Sequence, residues 1–297
     1  MQKKTKIWLG VGAFAMVGSG VAVAAQPPQD AASAPSLDSV TIDLLSSMTA
    51  TTSASMAGPA GRILLAQGQG AGGEGGEGGE GQIDPAAVES DPVDYGVALQ
   101  VIAAHYHAGL LAYENGEQDA GAQMFAHGLS EVYVELEDIL KRRGVTDLGD
   151  KLNAAVDDAA AKKPADVVRK RVQDVLDGLA RAETFAPKSD KPAMAVKTEV
   201  MGETLERAAA QYRVGANSTD LESYLDGLGF TLAAQSDAKT VLPWLEKQAP
   251  QKAATLRKAL DLAGQAYPGI KRPAQKVDVG RFLAAASEAR LAVSRIP

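Results

Sequence analysis

The sequence predicts an all-α protein: two helical bundles behind an export signal and a low-complexity spacer. Three observations carry that prediction. From Pro92 onward apolar residues recur at intervals of three and four, the period of one helix face. No stretch in that region alternates as a half-buried strand does. Helix-stopping residues fall at the ends of periodic segments, as at Asn115-Gly116, Gly144, Pro268 and Pro273.

Residues 1–25 read as a secretory signal peptide. Lys3, Lys4 and Lys6 make a basic start, an apolar run extends from Ile7 to Ala24, and Ala22-Val23-Ala24 gives a small-x-small cleavage pattern. Cleavage is expected after Ala24 or Ala25, which places the mature protein in the periplasm with no stable membrane span. Residues 26–89 read as a disordered spacer. Its centre repeats Gly-Gly-Glu from Gly72 to Gly81, and glycine entropy with glutamate repulsion opposes ordering.

The helical part divides into 90–185 and 192–297. In the first bundle, Leu99, Ile102, Tyr106, Leu110 and Tyr113 share a stripe that ends at Asn115-Gly116. A second helix is predicted from about Glu117 to Arg143, with Phe125, Leu129, Val132, Leu136 and Ile139 on one face, so that the two form a hairpin. Shorter helices follow at about 146–161 and 165–184, and Ala186–Lys191 reads as the boundary between bundles. In the second bundle, a helix over about 193–216 carries Met201, Leu205, Ala208 and Tyr212. Thr219 and Glu222 have capping-box spacing ahead of the stripe Leu221, Tyr224, Leu225, Leu228 and Leu232. Trp244 reads as a packing residue at a helix start, and final helices fit about 249–267 and 277–294.

Composition narrows the functions. A formal charge of −7 disfavours a nucleic-acid binder, which needs clustered Lys and Arg. The chain has no cysteine, which excludes disulfide frameworks, thiolate metal sites and cysteine nucleophiles. It also lacks a G-x-S-x-G elbow, a phosphate-binding glycine loop and an H-E-x-x-H zinc helix.

All three histidines, His105, His107 and His127, lie in the predicted hairpin. His107 is nine residues before Gly116 and His127 eleven after it, so a rise of ~1.5 Å per residue puts them at similar heights. Glu131 follows His127 by four residues on the same helical face, with Met124 one turn before. Imidazoles and a carboxylate in a bundle suit iron, copper, zinc or manganese, so His107, His127 and Glu131 are the candidate metal ligands. On the helical wheel His105 and His107 point to different sides and cannot serve one site. His127 lies opposite the apolar stripe of its own helix, which reads equally as a solvent-facing position. Glu199, Glu203 and Glu206 share a face that reads as solvated, offset by Lys197 and Arg207, and Glu131, Glu135 and Asp138 are open to the same reading.

Two groups of segments resemble known families. Ala104-His105-Tyr106-His107-Ala108-Gly109-Leu110 and Met124-Phe125-Ala126-His127 are similar to uncharacterised periplasmic helical proteins of proteobacteria. Leu205–Tyr212 and Leu221–Phe230 resemble the periplasmic helical region of high-affinity iron permeases, and in style the imelysin-like iron-uptake proteins. The resemblance implies an all-helical periplasmic protein concerned with iron uptake. The imelysin-like metal motif G-x-H-x-x-E is absent. His107 is followed three residues on by Leu110 and His127 by Ser130, and His127 with Glu131 is the nearest substitute.

The expected function is therefore non-enzymatic: an exported protein that binds or delivers a metal ion or metal complex, iron or copper being the candidates. The alternative is a metal-free helical module that docks an envelope protein.

Overall fold

The structure, a computed structural model, describes residues 83–296. The signal peptide and the spacer up to residue 82 lie outside the described residues. The helices are α1 (Pro85–Ser90), α2 (Pro92–Glu114), α3 (Gln118–His127), α4 (Val134–Arg142), α5 (Leu148–Ala160), α6 (Ala165–Glu183), α7 (Ala193–Gly215), α8 (Glu222–Gln248), α9 (Pro250–Ala266) and α10 (Val279–Val293). No strand occurs among the described residues, so the protein is all-α. No helix there is long and apolar enough to cross a membrane.

The end of the expected spacer is in fact helical. The Asp84 carboxylate accepts from Ala86 N at 2.9 Å, Pro85 occupies the first turn, and Val88 is buried. One residue later Asp91 repeats the device for α2, accepting from Val93 N at 2.7 Å ahead of Pro92.

α2 is the centre of the molecule. It is buried on nearly every side, as a helix with apolar residues all round must be. It packs on α3 and α6 of the first half and on α7 and α8 of the second, so segments 90–185 and 192–297 share one continuous core across the 186–191 connection. Its tyrosines bury their rings and send their hydroxyls to backbone carbonyls: Tyr95 to Ala182 at 3.0 Å, Tyr106 to Leu152 at 3.2 Å and Tyr113 to Lys163 at 2.6 Å. Those bonds hold α5 and α6 against α2.

Three local expectations change. The helix over 117–143 is interrupted by a π-helical segment, Gly128–Tyr133, between α3 and α4. The Thr219–Glu222 capping box does not form. Asp220 does that work, its Oδ2 accepting from Ser223 N at 2.8 Å and from Ser223 Oγ at 2.7 Å. Trp244 lies inside α8, which runs through Pro243 and on to Gln248; the lost amide bond is tolerated where Val241, Leu242 and Leu245 are buried.

The Glu199, Glu203 and Glu206 face is only partly solvated. Glu199 is buried and paired with Lys191 at 2.6 Å, while Glu203 and Glu206 hold Arg290 of α10 at 2.6 and 2.8 Å. Arg290 reaches Glu203 and Glu206 because α10 packs along that face of α7, which leaves the two carboxylates half-buried.

Candidate functional site

The metal triad expected from the sequence is not assembled. His107 faces a cleft between α2, α6 and α8. His127, at the end of α3, places Nδ1 3.1 Å from Glu222 Oε1 at the start of α8, and Gln123 Nε2 donates to Glu222 Oε2 at 2.8 Å. The imidazole beside His127 is His105, edge-on with ring centroids 6.5 Å apart. Glu131 is exposed. Among the described residues, no group of three or more His, Asp or Glu side chains is placed to hold a metal ion.

Two physical reasons account for this. Residues 105 and 107 leave α2 in different directions, and α3 packs on the His105 side, where Gly128 gives it room against the His105 and Tyr106 side chains. The π-helical segment then brings residues five apart into register, so Glu131 no longer stands directly over His127. The shared height above the turn at Gly116 says nothing about azimuth.

The cleft that takes His107 is built by four helices. Gln100 and His107, seven residues apart, lie on one face of α2. Gln173, Asp177 and Glu183 come from α6, Lys197 from α7, and Ser236, Asp237 and Lys239 from α8, around a volume of about 380 Å³. Its floor is a polar network, buried at Gln100 and Asp237 and half-buried at Lys197 and Glu183. Gln100 Nε2 donates to Asp237 Oδ2 at 2.7 Å, Lys197 Nζ lies 3.1 Å from Asp237 Oδ1, and the same ammonium donates to both Glu183 oxygens at 2.9 Å. These residues come from segments as much as 137 positions apart.

Burial decides the charge states here. It lifts Asp237 to about 6, even though Lys197 pulls the other way. Burial also works against the Lys197 ammonium, but Asp237 and Glu183 outweigh it and hold its pKa above the ordinary lysine value. His107 moves in the opposite direction to Asp237. Burial and then the nearby Lys239 ammonium lower its pKa to about 4, so its ring is neutral at pH 7. A neutral imidazole carries one donor and one acceptor, and neither has a hydrogen-bond partner among the described residues.

A second cleft, about 400 Å³, adjoins the first. Its walls are mainly apolar: Pro92 and Tyr95 from α2, Ala186 and Pro187 from the α6–α7 connection, and Met194, Val196 and Val200 from α7. Glu183 and Lys197 line both clefts, so their ion pair borders each of them.

Sequence reading singled out His107 and missed the four residues beneath it. A signal was present. Gln100 interrupts the run Val97–Ala104, and Asp237 stands among Ala233, Ala234, Ala238 and Val241. A polar residue on an otherwise apolar face is more informative than an apolar one on a polar face.

Comparisons with protein-family models, with curated proteins and with solved structures returned no match to this chain. Its function is therefore argued from the chemistry of the cleft.

Proposed function

We propose that the chain is an exported, non-enzymatic helical protein that binds a small molecule in the His107 cleft and carries it in the periplasm. Export rests on the leader pattern of residues 1–25, and a binding role in place of catalysis on the lack of any nucleophile or phosphate-loop motif. One observation carries the site itself. His107 is half-buried, neutral at pH 7 and without a hydrogen-bond partner among the described residues, and it faces a cleft of ligand size floored by the Gln100–Asp237–Lys197–Glu183 network. A half-buried neutral imidazole facing a cleft offers a bound molecule one donor and one acceptor. Pockets of about 300–1,000 Å³ with a few convergent polar groups are the usual form of small-molecule sites.

The reading is tested by native mass spectrometry of the exported protein, purified without detergent, beside His107→Leu. The wild type is expected to carry a stoichiometric adduct that the variant lacks. Identical spectra for the two proteins would remove the cleft as the site. Because His107 holds no hydrogen bond among the described residues, His107→Leu is expected to change stability by less than about 1 kcal/mol in urea denaturation. A larger loss would mean that the ring is a structural element.

A further inference from the structure

The His107 cleft is lined by two charged groups that pair with no opposite charge among the described residues. Glu183, Asp237 and Lys197 bond to one another on its floor. Among the described residues, Lys239 of α8 has no hydrogen-bond or ion-pair partner, and Asp177 of α6 accepts only from the uncharged Gln173 amide on its own helix, at 2.8 Å. Resting on the binding role proposed above, we propose that this cleft takes a free α-amino acid with an aliphatic side chain. Its carboxylate lies towards Lys239 and the His107 ring, its ammonium towards Asp177, and its side chain against Leu99, Leu176 and Leu179.

The charge pattern disfavours a ligand that carries either charge alone. The floor holds the Glu183 and Asp237 carboxylates against the single Lys197 ammonium, so a plain carboxylate meets a net negative surface. Lys239 is the charge that acts on His107, so a plain ammonium meets a cation there. A zwitterion answers both. Lys239 brings three N–H donors to a carboxylate, and Asp177 keeps lone pairs for an ammonium. His107 suits the same ligand. Burial and Lys239 hold its ring neutral at pH 7, so it adds hydrogen-bonding capacity and leaves one cation and one anion to be matched.

The walls supply the rest of the specificity. Asp177 stands on α6, Lys239 on α8 and His107 on α2, so the head group is met from three helices. The apolar part of the lining is aliphatic, with Leu99, Leu176 and Leu179 and, among the described residues, no Phe, Tyr or Trp. A hydrocarbon side chain there gains about 25 cal/mol per Å² of apolar surface removed from water. The volume of about 380 Å³ lies at the small end of ligand sites, which suits a single amino acid.

Isothermal titration calorimetry of the dialysed exported protein at pH 7.5, with L-leucine, 4-methylpentanoate and 3-methylbutylamine as separate probes, tests the inference. The last two are leucine without its ammonium and leucine without its carboxylate. Leucine is expected to bind saturably at one equivalent, and each analogue at least tenfold more weakly. Lys239→Ala and Asp177→Ala leave the Gln100–Asp237–Lys197–Glu183 network untouched, and unchanged helical circular dichroism checks that both variants fold. Each is expected to weaken leucine at least tenfold. Lys239→Ala should weaken 4-methylpentanoate and spare 3-methylbutylamine, and Asp177→Ala should do the reverse. Either analogue binding the wild type as tightly as leucine would overturn the zwitterion, as would leucine affinity unchanged in both variants. No leucine binding, with a wild-type adduct that His107→Leu lacks, would overturn the amino acid and keep the binding site. No leucine binding with identical adduct spectra would overturn both.

Discussion

Lys197→Met is expected to cost about 3–5 kcal/mol of folding stability at pH 7.5, the cost typical of leaving a buried charge unpaired. Lys197 is the cation between Asp237 and Glu183, and without it Asp237 keeps only the Gln100 amide. Most of the loss falls on Asp237, whose side chain is 8% exposed, because Glu183 at 38% stays partly hydrated. The pH dependence gives the sharper test. Asp237 has a folded-state pKa of about 6 against an ordinary 3.8. Between those values the folded protein holds a proton that the unfolded chain has released. The stability from the protonated carboxyl is therefore full below about 3.8 and is lost as pH rises through about 6. Removing Lys197 pushes that pKa higher still, so at pH 5 Asp237 is protonated and the variant recovers much of its deficit. Urea denaturation at pH 5.0 and 7.5 measures this. A deficit under about 1 kcal/mol at pH 7.5, or one equal at both pH values, would show that the network is not what holds the cleft floor.

Gly229→Ala is expected to destabilise by about 3 kcal/mol or more, at the upper end for overpacking. A Cβ at Gly229 of α8 would stand 2.4 Å from Ala104 O and 2.8 Å from Ala104 C. Both are backbone atoms of α2, which cannot swing aside as a side chain can, so the two helices must separate. They also carry Gln100 and Asp237, so ligand binding in the cleft should fall with stability. Gly264→Ala in α9 is the control. Its Cβ would meet only Gln235 Nε2, at 3.5 Å, and replacing a helical glycine there should be neutral or stabilise by up to about 1 kcal/mol. The same substitution thus has opposite signs at two helical glycines. Equal midpoints for the two variants in urea would refute the close α2–α8 crossing.

How much of this was legible beforehand depends on the range of the interaction. The breaks at Asn115-Gly116 and Gly144 were readable because they are local: both glycines adopt a left-handed backbone, φ 96° and 97°, that other residues resist. The helix pattern after Pro92 was readable because apolar period follows from burial. Capping was read less well. Thr219 and Glu222 had the right spacing, yet Asp220 took the role, since several residues near a helix start can bond the same amides. The π-helical segment left no periodic trace, because its six residues are too few to shift an apolar stripe visibly.

The site divides along the same line. His107 could be picked out as a candidate because histidines are few in this chain. Its intended partners failed because equal height on two helices does not fix the angle at which their side chains point. The sequence by itself determined the all-α class, the approximate helix limits and the candidacy of His107, since these follow from local propensity, periodicity and composition. Only the tertiary structure decided that α2 lies at the centre, that His127 turns to Glu222, and that Gln100, Glu183, Lys197 and Asp237 meet beneath His107. Those contacts join residues up to 137 positions apart and depend on how four helices pack, a relation that no local pattern encodes.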